Sequence, residues 1–303
     1  MMPLLIFGQS YASLWKKVKE AEEKDLPKTA CEVLQKIVKK AEKSHDYGQL
    51  LKAELQSAQM MAEIAPDSLK PAIERMRQRA ETEQNVVLKT VYQTVLYQVS
   101  RSNTPMELKA VKPQLTPELC EQLAKVKDKT YAPFVIEGVD SKLFDHDLLS
   151  VVGYALDEYK PLYEYYAKKG NRPAACITAA RAYEYAPVEQ IDSLINVYQD
   201  VPEVGELALV RYDRIRYDSD VPKAEKLAYD REALGKWVSW KRMGILRNAE
   251  QELINPQFQI SFEHRVVRPQ ETQKVTLQEL RNITGLTLTV YRLKISRSEE
   301  RFS

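Results

Sequence analysis

Cys120, Glu121 and Gln122 form the local motif closest to a known reactive group, the internal thioester that joins a Cys side chain to a Gln side chain. In that group the Gln follows three positions after the Cys, with a Glu between them. Here the Gln follows after only two positions, so the spacing does not match. We interpret the three residues as a surface stretch of a helix that begins after a Thr116 N-cap.

The three His residues, His45, His146 and His264, lie in separate predicted elements. None has a partner residue at the spacing that protein ligands of zinc use. Asp145-His146-Asp147 is the only local cluster of acids with a His, and we interpret it as a solvated loop or the entrance of a helix. The sequence therefore predicts no metal site.

The sequence contains no Gly-rich phosphate loop, nucleophile elbow or zincin motif. We therefore predict that the chain is not an enzyme and binds no cofactor. A hydrolase remains an alternative, because a catalytic triad assembled from distant residues leaves no local signature.

Tyr residues are concentrated between positions 154 and 185. A Tyr ring combines an apolar body with a polar tip, which suits a binding surface. Packing inside a helical repeat explains the same residues more simply, so the sequence leaves both interpretations open. The candidates for a concave groove that binds a peptide or a glycan are Tyr159, Tyr163, Tyr166 and Tyr183.

The composition is that of a globular chain with no strong charge. The 303 residues include 45 Lys and Arg against 43 Asp and Glu, which gives a formal net charge of +2. Acidic residues interleave with basic ones throughout, so we predict no nucleic-acid partner. Cys31, Cys120 and Cys176 are widely spaced in apolar surroundings, and we expect buried free thiols.

Residues 10–253 have the apolar spacing of helices, with short polar breaks between them. This pattern predicts a mainly α protein of stacked antiparallel α-hairpins, similar to a tetratricopeptide solenoid. One unit has Gly170-Asn171 at its turn, and a weaker one begins at Trp15 and Val18. Residues 131–138 suggest an extended linker, and a subdivision of the domain near 130–140. In the repeat unit with the Gly170-Asn171 turn, these residues occupy the key positions of the repeat: Tyr159, Leu162, Tyr163, Tyr166, Ala175, Ala179, Ala182 and Pro187.

The pattern changes after a last helix, which we predict from Pro222 to Leu253. Phe258, Ile260 and Phe262 alternate with polar residues, as in a strand with one buried face. Residues 254–296 therefore predict two or three strands, too few for a complete β-sandwich. We expect a disordered tail over 297–303.

The first eight residues, MMPLLIFG, are apolar and precede Gln9-Ser10. They are similar to the second half of a secretory signal without its charged start. We predict that residues 1–9 are the remnant of a signal peptide and that the protein is exported, to the periplasm or the outer cell envelope. No apolar run approaches the length of about 20 residues that a transmembrane helix needs, so we predict no such segment.

Eight short segments also carry a family resemblance: 13–18 (SLWKKV), 47–53 (YGQLLKA), 65–69 (APDSL), 240–243 (WKRM), 246–249 (LRNA), 255–258 (NPQF), 280–282 (LRN) and 286–293 (LTLTVYRL). In this order they resemble the N-terminal region of bacterial alpha-2-macroglobulin-like proteins of the cell envelope. The resemblance implies that 254–296 open a macroglobulin-type β-sandwich. Such proteins trap proteases with a bait segment and often a thioester, both far downstream of this region.

The resemblance therefore implies a non-catalytic interaction or scaffolding module of a larger envelope protein. Its partners would be proteins, including proteases that reach it through the full-length protein. The alternative is a tetratricopeptide-rich protein that binds glycans in an outer-membrane nutrient-uptake system.

Overall fold

A computed structural model describes residues 10–101, 110–263, 270–287 and 289. The predicted signal remnant at 1–9, His264 and the predicted tail at 297–303 lie outside these residues. The described part is mainly helical, as predicted, and ends in a small antiparallel sheet. Its elements are α1 Tyr11–Glu23, α2 Pro27–Ser44, α3 Tyr47–Ile64, α4 Leu69–Thr82, α5 Val86–Arg101, α6 Pro117–Ala124, α7 Leu148–Leu156, α8 Tyr159–Lys169, α9 Arg172–Ala182, α10 Val188–Val197, α11 Val204–Arg216, α12 Lys223–Lys236, α13 Gly244–Ile254, β1 Gln257–Phe262 and β2 Val275–Arg281.

The chain forms two compact units, and the division falls inside α11, between Arg214 and Ile215. The sequence pattern places a subdivision at 130–140 instead. No helix among the described residues is long and apolar enough to cross a membrane.

Consecutive helices of the first unit pack on one another because each carries one apolar stripe that needs a cover. In α2 the apolar stripe of Ala30, Leu34, Ile37 and Ala41, which has helical spacing in the sequence, is fully buried. Polar contacts fix the neighbours: the Trp15 indole of α1 donates to Gln49 Oε1 of α3 at 2.6 Å. Stacked α-hairpins are therefore present, as the sequence predicts.

A partly buried polar group joins three helices of the first unit. Tyr92 of α5 donates to Glu54 Oε2 of α3 at 2.9 Å, and Arg79 Nε of α4 lies 3.2 Å from Glu54 Oε1. Burial raises the pKa of Glu54, and the Arg79 charge and the Tyr92 hydroxyl oppose that rise. The Tyr92 hydroxyl and the Arg79 guanidinium stabilise one arrangement of the three helices, because the largely shielded Glu54 carboxylate needs donors that replace water.

The predicted repeat unit at 159–187 is a helical hairpin. Helices α8 and α9 pack together, and their turn is Gly170-Asn171. Gly170 has φ 75°, a left-handed conformation that costs Gly little. The Asn171 side chain then accepts the amide of Ala174 and starts α9. Local turn chemistry thus sets the hairpin at the position that the sequence indicates.

Within the extended linker expected from the sequence at 131–138, residues 131–135 instead form turns. Asp128–Tyr131 form a 3-10 turn, the Ala132-Pro133 peptide is cis, and Tyr131 is buried. This segment packs on α3 at Gly48, where a Cβ atom would come within 2.2 Å of the Ala132 carbonyl oxygen. The expectation was wrong for 131–135 because Tyr131 and Ala132 contact α3 through their backbone, which sequence periodicity does not reveal.

The second unit contains two helices where the sequence suggested one. Helix α12 ends at Lys236, and α13 begins at Gly244. Between them the amides of Trp240 and Met243 donate to carbonyls three residues earlier, and both side chains are buried. Trp240 and Met243, whose spacing also fits the single helix predicted from Pro222 to Leu253, instead fill the turn between two packed helices.

Strands β1 and β2 form a two-stranded antiparallel ribbon. Ile260 lies opposite Leu277, and Phe262 lies opposite Val275. Because side chains alternate along a strand, Phe258 shares their face. Phe262 is 55% exposed and Leu277 is 42% exposed, so this apolar face is uncovered in the part of the chain that the structure describes. We call it the ribbon face.

Gly48 tests the contact between α3 and the 131–135 segment. We expect Gly48→Ala to lower the free energy of unfolding by about 1–3 kcal/mol, because the new methyl group meets rigid backbone atoms. The matched control is Gly235→Ala in α12, where no atom lies within 4 Å of the added Cβ atom. This change should raise the free energy of unfolding by about 0.5–1 kcal/mol, because Ala loses less backbone freedom than Gly on folding. Urea denaturation measures both; equal effects would contradict the contact.

Asp230 of α12 provides a pH test of the second unit. Its side chain is fully buried, and neither carboxylate oxygen has a hydrogen-bond partner among the described residues. Burial raises its pKa to about 7; the Glu250 charge adds to the rise and Arg216 opposes it. The folded state therefore binds a proton that the unfolded state releases from about pH 4 upward, so stability falls between pH 4 and pH 7.

We expect Asp230→Asn to remove this loss, because an amide has no charge to bury. The variant should be more stable than the wild type above pH 7, and the difference should shrink towards pH 4. One pKa unit corresponds to about 1.4 kcal/mol, which sets the scale. Thermal unfolding from pH 4 to pH 8 measures the effect, and parallel pH profiles of the two proteins would contradict it.

Candidate functional site

Asp147 organises the region that contains the predicted tyrosine groove. It is the N-cap of α7, and its Oδ1 accepts the amide of Ser150 at 2.8 Å. Leu148 donates its amide to the carbonyl of Val126 at 2.8 Å, which ties the start of α7 to the loop after α6. The predicted role of Asp145-His146-Asp147 as a helix entrance is confirmed, although Asp147 itself is buried.

Tyr166 lies inside this region and does not face a groove. It is 2% exposed, and its hydroxyl donates to both carboxylate oxygens of Asp147, at 2.8 and 3.0 Å. Burial and the Asp147 charge raise the pKa of Tyr166, while burial raises the pKa of Asp147 against the effect of its donors. The hydroxyl therefore satisfies a buried carboxylate that joins α7 to α8, and Tyr166 offers no surface to a ligand.

Tyr163 and Tyr183 are half-buried and form a T-shaped pair with ring centroids 5.5 Å apart. Tyr198, after α10, is buried near them, and desolvation and the Tyr163 hydroxyl raise its pKa. The structure thus brings two of the four candidates together on the α8–α9 hairpin. Both residues remain partly exposed, as an aromatic binding surface requires.

Tyr159 belongs to a separate contact at the start of α8. Its ring lies 5.3 Å from that of Tyr154 in a T-shaped arrangement, and its hydroxyl donates to Asp157 Oδ1 at 3.1 Å. Arg101 Nη1 also lies 2.7 Å from Asp157 Oδ2 and lowers the pKa of that carboxyl. No contact among the described residues joins Tyr159 to the Tyr163–Tyr183 pair.

The three cysteines are free and buried, as predicted. Cys120 lies on α6 beside a cleft of about 360 Å³, yet it is only 2% exposed, whereas Gln122 is exposed. Desolvation raises the pKa of Cys120 to about 11, so at neutral pH it is a thiol rather than the nucleophilic thiolate. Thr116 caps α6 as predicted, but the Cys side chain points inward rather than along a surface stretch.

His146 is the only His of the described chain that contacts acidic side chains. Its Nδ1 lies 3.1 Å from Glu137 Oε1 and 3.9 Å from Asp128 Oδ2. His45 lies elsewhere, as the C-cap of α2, where its backbone has a left-handed conformation. No group of three or more His, Cys, Asp or Glu side chains among the described residues could hold a metal ion.

Sequence reasoning placed Asp147 at a helix entrance but missed its contact with the tyrosine region, and it missed Tyr198. The signal for Asp147 was present, because an Asp directly before the apolar run of α7 is a preferred N-cap. Its second contact, with Tyr166 nineteen residues later, has no local signal. Tyr198 follows the apolar stripe of α10, but no pattern indicates that it meets Tyr163.

Comparison of the chain with models of protein families, with curated proteins and with solved structures finds no match.

Proposed function

We propose that this chain is a non-catalytic interaction module, the N-terminal part of an exported envelope protein that resembles the protease-trapping alpha-2-macroglobulins. In this role the helical unit binds protein partners, and the ribbon of the second unit joins the β-sheet domains of the larger protein. The observation that carries the proposal is the ribbon face, an apolar surface that a two-stranded sheet cannot cover by itself.

The pattern of the ribbon supports an occupant made of protein. Phe258, Ile260 and Phe262 are exposed and alternate along β1 with Gln257, Gln259 and Ser261, so the apolar and the polar side chains belong to opposite faces of the strand. Two layers of a β-sandwich bury faces of this kind against each other. Exposed apolar patches on a soluble domain mark interaction sites for the same reason.

The second line of support is chemical. The thiols of Cys31, Cys120 and Cys176 are buried, and desolvation raises the pKa of each. They are therefore poor nucleophiles at neutral pH. The proposal accordingly assigns binding, and no catalytic step, to this chain.

Site-specific photo-crosslinking tests the proposal. A photoreactive phenylalanine analogue is placed at position 260 on the ribbon face or, as a matched control, at position 259 on the polar face. In cells that produce the natural protein, we expect position 260 to cross-link to a β-sheet domain of the same protein or to one reproducible protein partner. Position 259 should give at least tenfold less of that product.

Equal products from both positions, or none from either, would refute the proposed role of the ribbon face. A parallel assay of the purified chain with fluorogenic ester, peptide, phosphate and glycoside substrates should show no turnover. Turnover of any of these substrates would replace the interaction module with an enzyme.

The alternative function is glycan binding by the tetratricopeptide-like hairpin, and the Tyr163–Tyr183 pair favours it. A partly exposed aromatic ring can pack against the apolar face of a sugar ring. If this alternative holds, binding on a glycan array should fall at least tenfold in Tyr183→Ala. The control is Tyr185→Ala, because Tyr185 is 81% exposed and lies outside the pair. An array without any positive glycan would remove this alternative.

A further inference from the structure

The first unit contains an apolar cavity of about 200 Å³ between α5, α7 and the segment after Tyr131. Its wall includes Val91 and Val95 of α5, Val151 and Val152 of α7, and Phe134 and Val135. Thr94 and Gln98 are the polar residues of its wall, and the Thr94 hydroxyl donates to the carbonyl of Thr90 at 2.8 Å. The cavity therefore accepts an aliphatic or aromatic group and offers little to a polar one.

A larger open cleft of about 580 Å³ adjoins this cavity, and the two share Leu55 and Phe134. Glu22 and Glu63 line the cleft, together with a single cationic side chain, Lys52. The Lys52 ammonium lies 4.7 Å from the ring centroid of Trp15, a cation–π contact that holds it at the wall. The cleft thus has one more negative charge than positive.

These two features fit one kind of ligand. Apolar cavities of about 150 Å³ bind a group the size of benzene, so the cavity has room for one large apolar side chain. The acidic cleft beside it favours a cation and repels a carboxylate. A fatty acid would place its carboxylate in this cleft, whereas a peptide can place a Lys or Arg there.

We propose that the cavity and the cleft bind a peptide segment of a partner protein. A Phe, Leu or Ile of the segment fills the cavity, and a neighbouring Lys or Arg lies over Glu22 and Glu63. Ile136 is 87% exposed at the cleft and packs against the bound segment. The inference rests on the proposed function as an interaction module, and it names the chemistry of the partner that the helical unit binds.

Selection from a phage-displayed library of random 12-residue peptides tests this proposal on the full chain. We expect the enriched sequences to share a large apolar residue within two positions of a Lys or Arg. The affinity of the best synthetic peptide is then measured by fluorescence anisotropy for the wild type and for variants.

Val151→Phe fills the cavity and should weaken that peptide at least tenfold. The matched control is Val197→Phe, the same change on α10 at a side chain that is 53% exposed, and it should alter the affinity less than twofold. Circular dichroism checks that each variant is folded. If Val151→Phe does not fold, Ala155→Leu fills the same cavity with a smaller addition.

The double variant Glu22→Gln, Glu63→Gln tests the charge. It should weaken the peptide several-fold and make binding less dependent on salt, because it removes both carboxylates of the cleft. Peptide binding that is unchanged in the cavity-filling variant would overturn the proposal. Enrichment of acidic sequences, or decanoate that binds more tightly than the best peptide, would also overturn it.

The ribbon face belongs to the second unit, so this test and the photo-crosslinking test are separable. Failed peptide binding together with specific cross-links from position 260 would refute the peptide site and still support the interaction module. Peptide binding without such cross-links would sink the proposed role of the ribbon face instead.

Discussion

The close approach of Gly48 to the backbone of Tyr131 and Ala132 is the constraint on which the first unit depends. Helix α3 and the 131–135 segment meet with no room for a side-chain atom between them. This contact places Phe134 and Val135 against α5 and α7, where they complete the apolar cavity. A surface that could bind a partner therefore follows from one glycine near the start of a helix.

Buried acids play a second organising role, and their environments differ. Asp147 has an amide and a tyrosine hydroxyl as donors, which oppose the effect of burial on its pKa while it connects α7 to α8. Asp230 has no such donor among the described residues, and burial together with the Glu250 charge raises its pKa to about 7. A buried carboxylate stabilises a fold only when donors replace the water that it loses.

The sequence predicts the repeating features of this fold better than its unique contacts. Helical periodicity identifies the stripe of α2, and Gly170-Asn171 identifies the α8–α9 turn, because both depend on neighbouring residues. The break between α12 and α13 was missed, since Trp240 and Met243 fit a continuous stripe equally well. The burial of Tyr166 and the packing of 131–138 were missed because their partners, Asp147 and Gly48, lie far away in sequence. Of the predicted groove, only Tyr163 and Tyr183 come together.

The buried thiols described above give this molecule three built-in reporters of local opening. Cys31, Cys120 and Cys176 belong to α2, α6 and α9, and each is shielded from solvent in the folded state. A thiol-specific reagent can modify a shielded cysteine only when its surroundings open, so the labelling rate follows the opening equilibrium of that helix. Mass spectrometry of the labelled peptides would therefore rank the stability of three parts of the helical unit without any engineered probe.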